Sequence, residues 1–311
     1  MAAPAGPKRS KRDTWPELPE PLPGPVTDNH THLPLGTPDD PGVRPGTEPM
    51  TLAQHLSRAE GVGVTRMVHV ACDIDSLQPS LALAEAHPQV VVAAAIHPNE
   101  APLHAGVREV GPDGLPPPVR PRHSVALDEA VARVAQAASH ERVRAIGETG
   151  LDFFRGGEEA RGQQRESFRA HIALAKELDL PLQIHDREAH RDVVEVLLRD
   201  GAPRRTVFHC FSGDTELARI CAEQGWYASF GGPVTFASSD ELRRALRAMP
   251  RSLLLAETDA PYLTPRPFRG RPNAVWLLPL TVREMAAELE MDLGELCTQL
   301  AANTESVYGP W

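Results

Sequence analysis

The sequence predicts an α/β protein in which eight parallel strands, each followed by a helix, close into a (β/α)8 TIM barrel. Short apolar runs rich in β-forming residues recur along the chain and end in polar residues, a pattern typical of buried parallel strands. Amphipathic helical patterns lie between these runs. Eight such units in about 280 residues match the usual size of the barrel.

The predicted strands are residues 26–30, 66–71, 90–96, 143–147, 182–185, 206–209, 226–230 and 253–257. Helical patterns occupy residues 160–178, 192–198, 216–223 and 241–249, and two more follow the last strand at 278–290 and 293–307. A doubly wound sheet is the alternative arrangement of such units. The first strand is not followed by a glycine-rich G-x-G-x-x-G turn, which favours the barrel.

The chain is predicted to contain one barrel domain, residues 26–311, preceded by a disordered, proline-rich, basic tail over residues 1–25. Proline occupies seven of the first 25 positions, beside a cluster formed by Lys8, Arg9, Lys11 and Arg12. A second stretch rich in proline and glycine, residues 111–124, is interpreted as part of a long loop over residues 100–124 that shapes the mouth of the site.

The composition disfavours several classes of protein. The net charge of −10 argues against a protein that coats nucleic acid by bulk attraction. No apolar run reaches the length of a membrane span, and no apolar segment follows the N-terminal basic residues as in a secretory signal. The four cysteines form no C-x-x-C pair. We therefore expect a reduced cytoplasmic protein that does not bind membranes.

Residues that ligate metals follow the predicted strands at the end where barrels build active sites. His30 and His32 follow the first strand, and both can reach one ion because alternate strand residues point to one side. The other residues at strand ends are His97, Glu148, His185, His209, Glu257 and Asp259. The nitrogen and oxygen donors suit two divalent ions, Mg²⁺, Mn²⁺ or Zn²⁺, that share a carboxylate and activate water.

Several strings resemble the TatD family of metal-dependent deoxyribonucleases, which are amidohydrolase-like barrels. They are DNHTHL, AIHPNE, AIGETGLDFFR, HCFSG and ETDAPYLTPRPFRGRPN, with NTESVYG near the C-terminus. The resemblance covers about residues 26–309 and implies a barrel of the metal-dependent hydrolase type. It implies that one ion is held by His30, His32 and Asp259, that the second is held by His185 and His209, and that Glu148 bridges them.

The resemblance also suggests roles around the metals. His97 is expected near the scissile phosphate, and three arginines are candidates to hold phosphate oxygens: Arg187, Arg269 and Arg271. The family often has HCR where this chain has HDR, so Asp186 adds negative charge near the second ion and affects metal preference. The aromatic residues Phe153, Phe154, Trp226 and Phe230 are expected to pack in the core rather than to stack on bases.

The leading hypothesis is a phosphodiesterase in which activated water attacks phosphorus and Asp259 accepts its proton, with Glu148 and His97 as further catalytic residues. The resemblance adds DNA as substrate, cleaved from 3′ ends or as a single strand by a monomeric 3′-to-5′ exodeoxyribonuclease. The alternative is an ester or amide hydrolase acting on a small substrate or on the aminoacyl end of tRNA. A non-catalytic binding protein is disfavoured by the intact ligand set.

Overall fold

The fold is an eight-stranded parallel sheet, seen in a computed structural model that describes residues 11–36 and 47–311. Its strands lie in chain order: β1 (Val26–Thr31), β2 (Val64–Ala71), β3 (Val90–Ala94), β4 (Val143–Asp152), β5 (Leu182–Arg187), β6 (Thr206–Phe208), β7 (Tyr227–Phe230) and β8 (Leu254–Ala256). The sheet curls until β1 meets the end of β8, where the His32 amide donates to the Ala260 carbonyl at 2.8 Å. The predicted (β/α)8 barrel is confirmed.

Helices alternate with the strands. In the described residues they are α1 (Leu52–Gly61), α2 (Leu77–Ala86), α3 (Ala101–His104), α4 (Leu127–Ala138), α5 (Glu158–Glu177), α6 (His190–Asp200), α7 (Thr215–Gln224), α8 (Asp240–Ala248), α9 (Leu278–Glu288) and α10 (Leu293–Tyr308). Side-chain caps set some of their starts, as where Asp214 accepts from the Leu217 amide at 2.9 Å. None of these helices is long and apolar enough to cross a membrane.

An apolar layer fills the barrel beneath the site. Val207 and Leu255 belong to this buried cluster, which Tyr308 of α10 closes from below. His209 and Glu257 follow two positions later, just beyond the ends of β6 and β8, so they lie above this layer on the same side of the chain. The polar site thus rests on a packed floor, while its residues come from the loop end of the barrel.

Strand β4 is longer than predicted. It continues to Asp152 because residues 149–152 pair with β5 after a shift in register beyond Ile146. Glu148 therefore lies within the strand, at the irregularity, rather than at its end. Gly147 permits this arrangement, because a Cβ atom there would lie 2.5 Å from the Cβ of Gln183.

The segment before β1 packs against the barrel, which corrects the prediction of a disordered tail for this part of the chain. The ring centroid of Trp15 lies 5.4 Å from that of Trp276 and 5.3 Å from that of His55, and Leu22 is buried. An aromatic residue with distant partners is not revealed by local composition, so proline content alone suggested disorder. The first ten residues of the predicted tail lie outside the described residues.

The predicted long loop contains α3 and a 3₁₀ turn at Pro121–Ser124, and its irregular part is fixed at several points. Asp113 forms an ion pair with Arg155 at 3.2 Å. Near the turn, Glu100 accepts from Arg122 at 2.7 Å and from His123 at 2.8 Å. The loop is therefore anchored on both sides of its proline run.

Replacing Trp15 by alanine should lower the free energy of unfolding by about 1–3 kcal/mol, because the aromatic contacts with Trp276 and His55 are lost. Urea unfolding followed by circular dichroism measures the change. Leu18→Ala is the matched control, since Leu18 lies in the same segment and is 50% exposed. Equal stability of the two variants would show that the segment contributes little to the fold.

Candidate metal centre

Glu148 lies at the centre of a buried cluster of histidines. Its Oε1 is 2.5 Å from His185 Nδ1 and 2.8 Å from His209 Nε2, whereas its Oε2 is 3.5 Å from His30 Nε2. The two carboxylate oxygens therefore face different histidines. Asp259 Oδ1 completes the cluster at 3.5 Å from His32 Nε2. The structure thus brings all six predicted metal ligands together.

Three of these histidines are oriented by hydrogen bonds at the ring nitrogen that does not face Glu148. His30 Nδ1 lies 3.1 Å from Gln183 Oε1, and His185 Nε2 lies 3.1 Å from Asp152 Oδ2. His209 Nδ1 is 3.2 Å from Glu257 Oε1. In each case the second ring nitrogen faces Glu148, the arrangement by which proteins orient histidine ligands.

The Gln183 amide fixes the tautomer of His30. Its nitrogen donates to the Asn29 carbonyl at 2.9 Å and to the Tyr308 hydroxyl at 2.7 Å, so only its oxygen remains to accept from His30 Nδ1. His30 Nε2 then carries a lone pair, and it is buried without a hydrogen-bond partner among the described residues.

Burial and ion pairing act against each other in the cluster. Burial opposes the charge of Glu148, but His209 and the other histidines lower the pKa of this carboxyl well below its usual range. Burial also opposes the charge of His185, but hydrogen bonds to Asp152 and Glu148 raise its pKa to about 9. Burial, helped by the charge of His209, lowers the pKa of His30. Without cations, protons on the histidines offset the carboxylates.

The donor set fits divalent cations. The ligand atoms of His30, His32 and Glu148 lie within 4.8 Å of one another, as do those of His30, His209 and Asp259. A cation would pair with the orphaned lone pair of His30 and would offset two buried carboxylates. Imidazole nitrogens and carboxylate oxygens are donors that Zn²⁺ and Mn²⁺ accept, and Mg²⁺ accepts with more water.

His97 also faces the centre, and its ligand atom lies within 4.8 Å of those of Glu148 and His185. Its Nδ1 accepts from the Asn99 amide at 3.0 Å, so in the neutral ring Nε2 carries the hydrogen. That atom lies 3.3 Å from Glu148 Oε1 and faces the centre.

The centre opens into a cavity of about 1410 Å³. The wall is acidic: beyond the predicted ligands it carries Asp73, Asp75, Glu100, Glu109, Asp113, Asp152, Asp186, Asp214 and Glu241. Arg155 and Arg187 are the only arginines that the described residues contribute to it, and Arg155 is paired with Asp113.

The comparisons with known proteins agree with this centre. The family described as TatD related DNase matches residues 27–309. This chain belongs to the TatD family. It is 38% identical over 288 residues to "Uncharacterized metal-dependent hydrolase TatD" of Mycobacterium tuberculosis, covering 91% of this chain and 98% of that protein. It is 32% identical over 261 residues to "3'-5' ssDNA/RNA exonuclease TatD" of Erwinia tasmaniensis, covering 81% and 92%.

Solved structures give the same result. The TatD homologue YJJV of Escherichia coli K12 superposes with a TM-score of 0.76 at 25% identity, covering 92% of this chain and 98% of the homologue. A TatD family hydrolase of Entamoeba histolytica has a TM-score of 0.73 at 18% identity, covering 93% and 100%, and supports the fold. The family match and the 38% identical relative show that this TatD protein is a metal-dependent hydrolase.

Of the three arginines predicted to hold phosphate, Arg187 lines the cavity. Its guanidinium carbon lies 3.9 Å from the centre of the Phe154 ring, and its side chain forms no ion pair among the described residues. The other aromatic residues considered in the sequence are buried in the core, as expected: Phe153, Trp226 and Phe230. Phe154, also expected in the core, is only half-buried, and its ring contacts the Arg187 guanidinium.

The other two arginines lie elsewhere. The Arg269 guanidinium carbon lies 4.0 Å from the Phe236 ring centre, and neither Arg269 nor Arg271 lines the cavity. Arg271 donates to the Thr14 carbonyl at 3.0 Å and holds the N-terminal segment. The side chain of Arg271 is thus engaged by protein groups distant in sequence, which corrects its predicted phosphate role, whereas the phosphate role of Arg269 stays a prediction.

Sequence reasoning missed two residues that position ligands. Asp152 stands in the string GLDFF, beyond the predicted end of β4. A prediction of the full length of β4 would have placed Asp152 at a strand end, where site residues were sought. Gln183 lies inside β5, and no pattern in the neighbouring sequence marks it as functional. Its role as a partner of His30 depends on which residue of another strand faces it.

Replacing Glu148 by glutamine should weaken metal binding at every position that shares this carboxylate, because the shape remains while the charge is lost. Metal equivalents after dialysis against limiting Mn²⁺, measured by mass spectrometry, give the readout. Glu241→Gln is the control, since Glu241 lines the same cavity but pairs with Arg244. Full metal content and activity in the Glu148 variant would contradict a shared carboxylate.

Replacing Asp152 by asparagine should weaken cation binding by roughly 10- to 100-fold, the usual effect of losing a carboxylate behind a histidine ligand. Isothermal titration of the metal-free protein with Mn²⁺ measures the affinity. Asp113→Asn is the control, because Asp113 lines the cavity and pairs with Arg155 rather than with a predicted ligand. Affinities equal to that of the unsubstituted protein would rule out the orienting role of Asp152.

Proposed function

We propose that this TatD protein is a 3′-to-5′ exodeoxyribonuclease that hydrolyses terminal phosphodiester bonds of single-stranded DNA with two divalent cations. The observation that carries the proposal is the position of Glu148, whose two oxygens face different histidines. A carboxylate in that position can be shared by two cations, as in many enzymes of phosphoryl transfer. The exonuclease name of the Erwinia relative supports the choice of substrate.

The residues would divide between the two cations as the family resemblance suggests. The proposed ligands are His30, His32 and Asp259 for one cation and His185 and His209 for the other, with Glu148 shared. When bound, Mg²⁺, Mn²⁺ or Zn²⁺ would lower the pKa of a water molecule and offset charge on the phosphoryl oxygens.

Asp259 is the proposed proton acceptor. Burial opposes its charge, but the hydrogen bond with His32 and the nearby His30 lower the pKa of this carboxyl below its usual value. It is therefore ionised at neutral pH and can accept a proton from water. His97 Nε2, which carries a hydrogen and faces the same space, would donate to a phosphoryl oxygen.

Arg187 is the proposed phosphate contact of the protein itself. The Phe154 ring beneath its guanidinium restricts the side chain, so its N–H groups are available in a defined place. With an acidic wall and a net charge of −10, the protein offers no long basic track. Recognition of few phosphates suits a chain end better than a continuous duplex.

The acidic wall favours a second candidate. Asp73, Asp75 and Glu109 line the cavity and would attract a substrate with a cationic amine. An ester or amide of that kind, such as the aminoacyl end of tRNA, would use the same metal centre. The two candidates differ in whether the bond broken is a phosphodiester.

The deciding experiment uses 5′-labelled single-stranded DNA, circular single-stranded DNA and an aminoacyl ester, each with Mg²⁺, Mn²⁺ or Zn²⁺. We expect products that shorten from the 3′ end of the linear strand, no cleavage of the circle, and loss of activity with a chelator. Equal cleavage of circle and linear strand would contradict end recognition. Hydrolysis of the aminoacyl ester alone would support the second candidate.

Replacing Asp259 by asparagine should lower the rate on linear DNA by roughly 10²-fold or more, the usual scale for a positioned acid or base. Initial rates at saturating metal give this value, and circular dichroism checks the fold. Glu241→Gln is the control, since Glu241 lines the cavity but pairs with Arg244. A folded Asp259 variant with normal activity would rule out its proposed role.

A further inference from the structure

Exposed apolar side chains concentrate at the mouth of the cavity. Among the described residues, eight large hydrophobic side chains are exposed, and three of them, Leu115, Tyr262 and Leu263, line the cavity above the metal centre. Val110 and Val119 lie on the same anchored loop as Leu115. Apolar surface gathered at one place in this way marks a contact site for a ligand.

Tyr262 is held rigidly beside a predicted metal ligand. Its amide donates to the Asp259 carbonyl at 2.8 Å, and the Asn273 side chain binds the Tyr262 carbonyl and donates to the Thr258 carbonyl at 2.8 Å. Tyr262 is 51% exposed as a residue, and its ring centroid lies 5.7 Å from that of His32. Its hydroxyl has no hydrogen-bond partner among the described residues. A fixed backbone thus presents an open aromatic face next to the site of reaction.

The residues at 115–118 form a second apolar contact surface on the cavity, called here the proline wall. Proline has a fixed φ, which stiffens the wall. The Asp113–Arg155 ion pair at 3.2 Å holds one side, and the Arg122–Glu100 contact at 2.7 Å holds the other. The wall is therefore preorganised.

Charge decides which part of a nucleotide can occupy this region. Glu109 lines the cavity on the same loop as the proline wall and forms no ion pair among the described residues, so its charge disfavours a phosphate there. Arg187 and the metal centre are the places where a phosphate is attracted. A planar uncharged group can contact the apolar surfaces without the free-energy cost of burying a charge.

We propose that Tyr262 and the proline wall form a nucleobase subsite that contacts the base at the 3′ end of the substrate. The inference rests on the proposed function and specifies how its substrate is chosen. Aromatic stacking accepts every base, so this subsite would be tolerant of sequence. A paired base in a duplex end already stacks on its neighbours, so the subsite would favour unpaired ends.

The experiment compares linear single strands that end in a normal 3′ nucleotide with strands that end in an abasic residue. The unsubstituted protein should cleave the normal end with a KM roughly tenfold lower, because stacking adds binding energy in substrate and transition state alike. Tyr262→Ala should lose this preference with kcat little changed, whereas Tyr262→Phe should keep it. Leu198→Ala is the control, since Leu198 is 55% exposed but does not line the cavity.

A spectroscopic measurement separates base contact from a structural role. A strand with 2-aminopurine at its 3′ end is titrated with the Asp259→Asn protein, and stacking on Tyr262 should quench its fluorescence. The quenching should be lost with the added Tyr262→Ala substitution, while the metal content measured by mass spectrometry stays the same.

Three outcomes would overturn the inference. Equal KM values for normal and abasic ends in the unsubstituted protein would exclude a base subsite while leaving the exonuclease proposal intact. Unchanged preference or quenching in Tyr262→Ala would exclude Tyr262. Cleavage of neither strand by the metal-loaded protein would overturn the proposed function, and the subsite with it.

Discussion

The site depends on the electrostatic balance between two buried carboxylates, Glu148 and Asp259, and the histidines around them. Carboxylates without compensation would be costly in a buried cluster, so each must face positive charge. The metal-free protein supplies it with protons, and His185 therefore has a pKa of about 9. A divalent cation held by these residues would supply it instead and would displace those protons. Metal binding would thus be coupled to the release of protons from the histidines.

The barrel makes this concentration of charge possible by separating it from the packed core. Val207 and Leu255 fill the interior, and the next residues on the same side of those strands are polar. The close approach of β4 and β5 at Gly147 then brings Glu148 among histidines from neighbouring strands. Stability comes from the floor and function from the strand ends, so ligands can be concentrated without loss of the fold.

The fold and the predicted ligands were accessible from sequence because strand patterns and strand-end histidines are local signals. The orientation of the histidine rings could not be predicted from the sequence. The hydrogen-bond partner of His30 is Gln183, and only the relative register of their two strands brings these residues together. Arg271 was misread for a related reason, because its partner Thr14 is distant in sequence. Local patterns thus identify which residues can act, and tertiary contacts decide which of them are available.

The charge of the protein links metal binding to substrate binding. If the substrate is DNA, as proposed, a chain with a net charge of −10 and an acidic cavity would repel this polyanion until cations occupy the centre. Arg187 is exposed and supported by Phe154, yet a single guanidinium does not offset that wall. In the proposed function, cations at the centre would therefore attract the phosphate as well as activate water, and the acidic wall would direct the rest of the substrate. A strand end can place one phosphate at the centre and its base on Tyr262, whereas a long backbone would have to cross acidic surface.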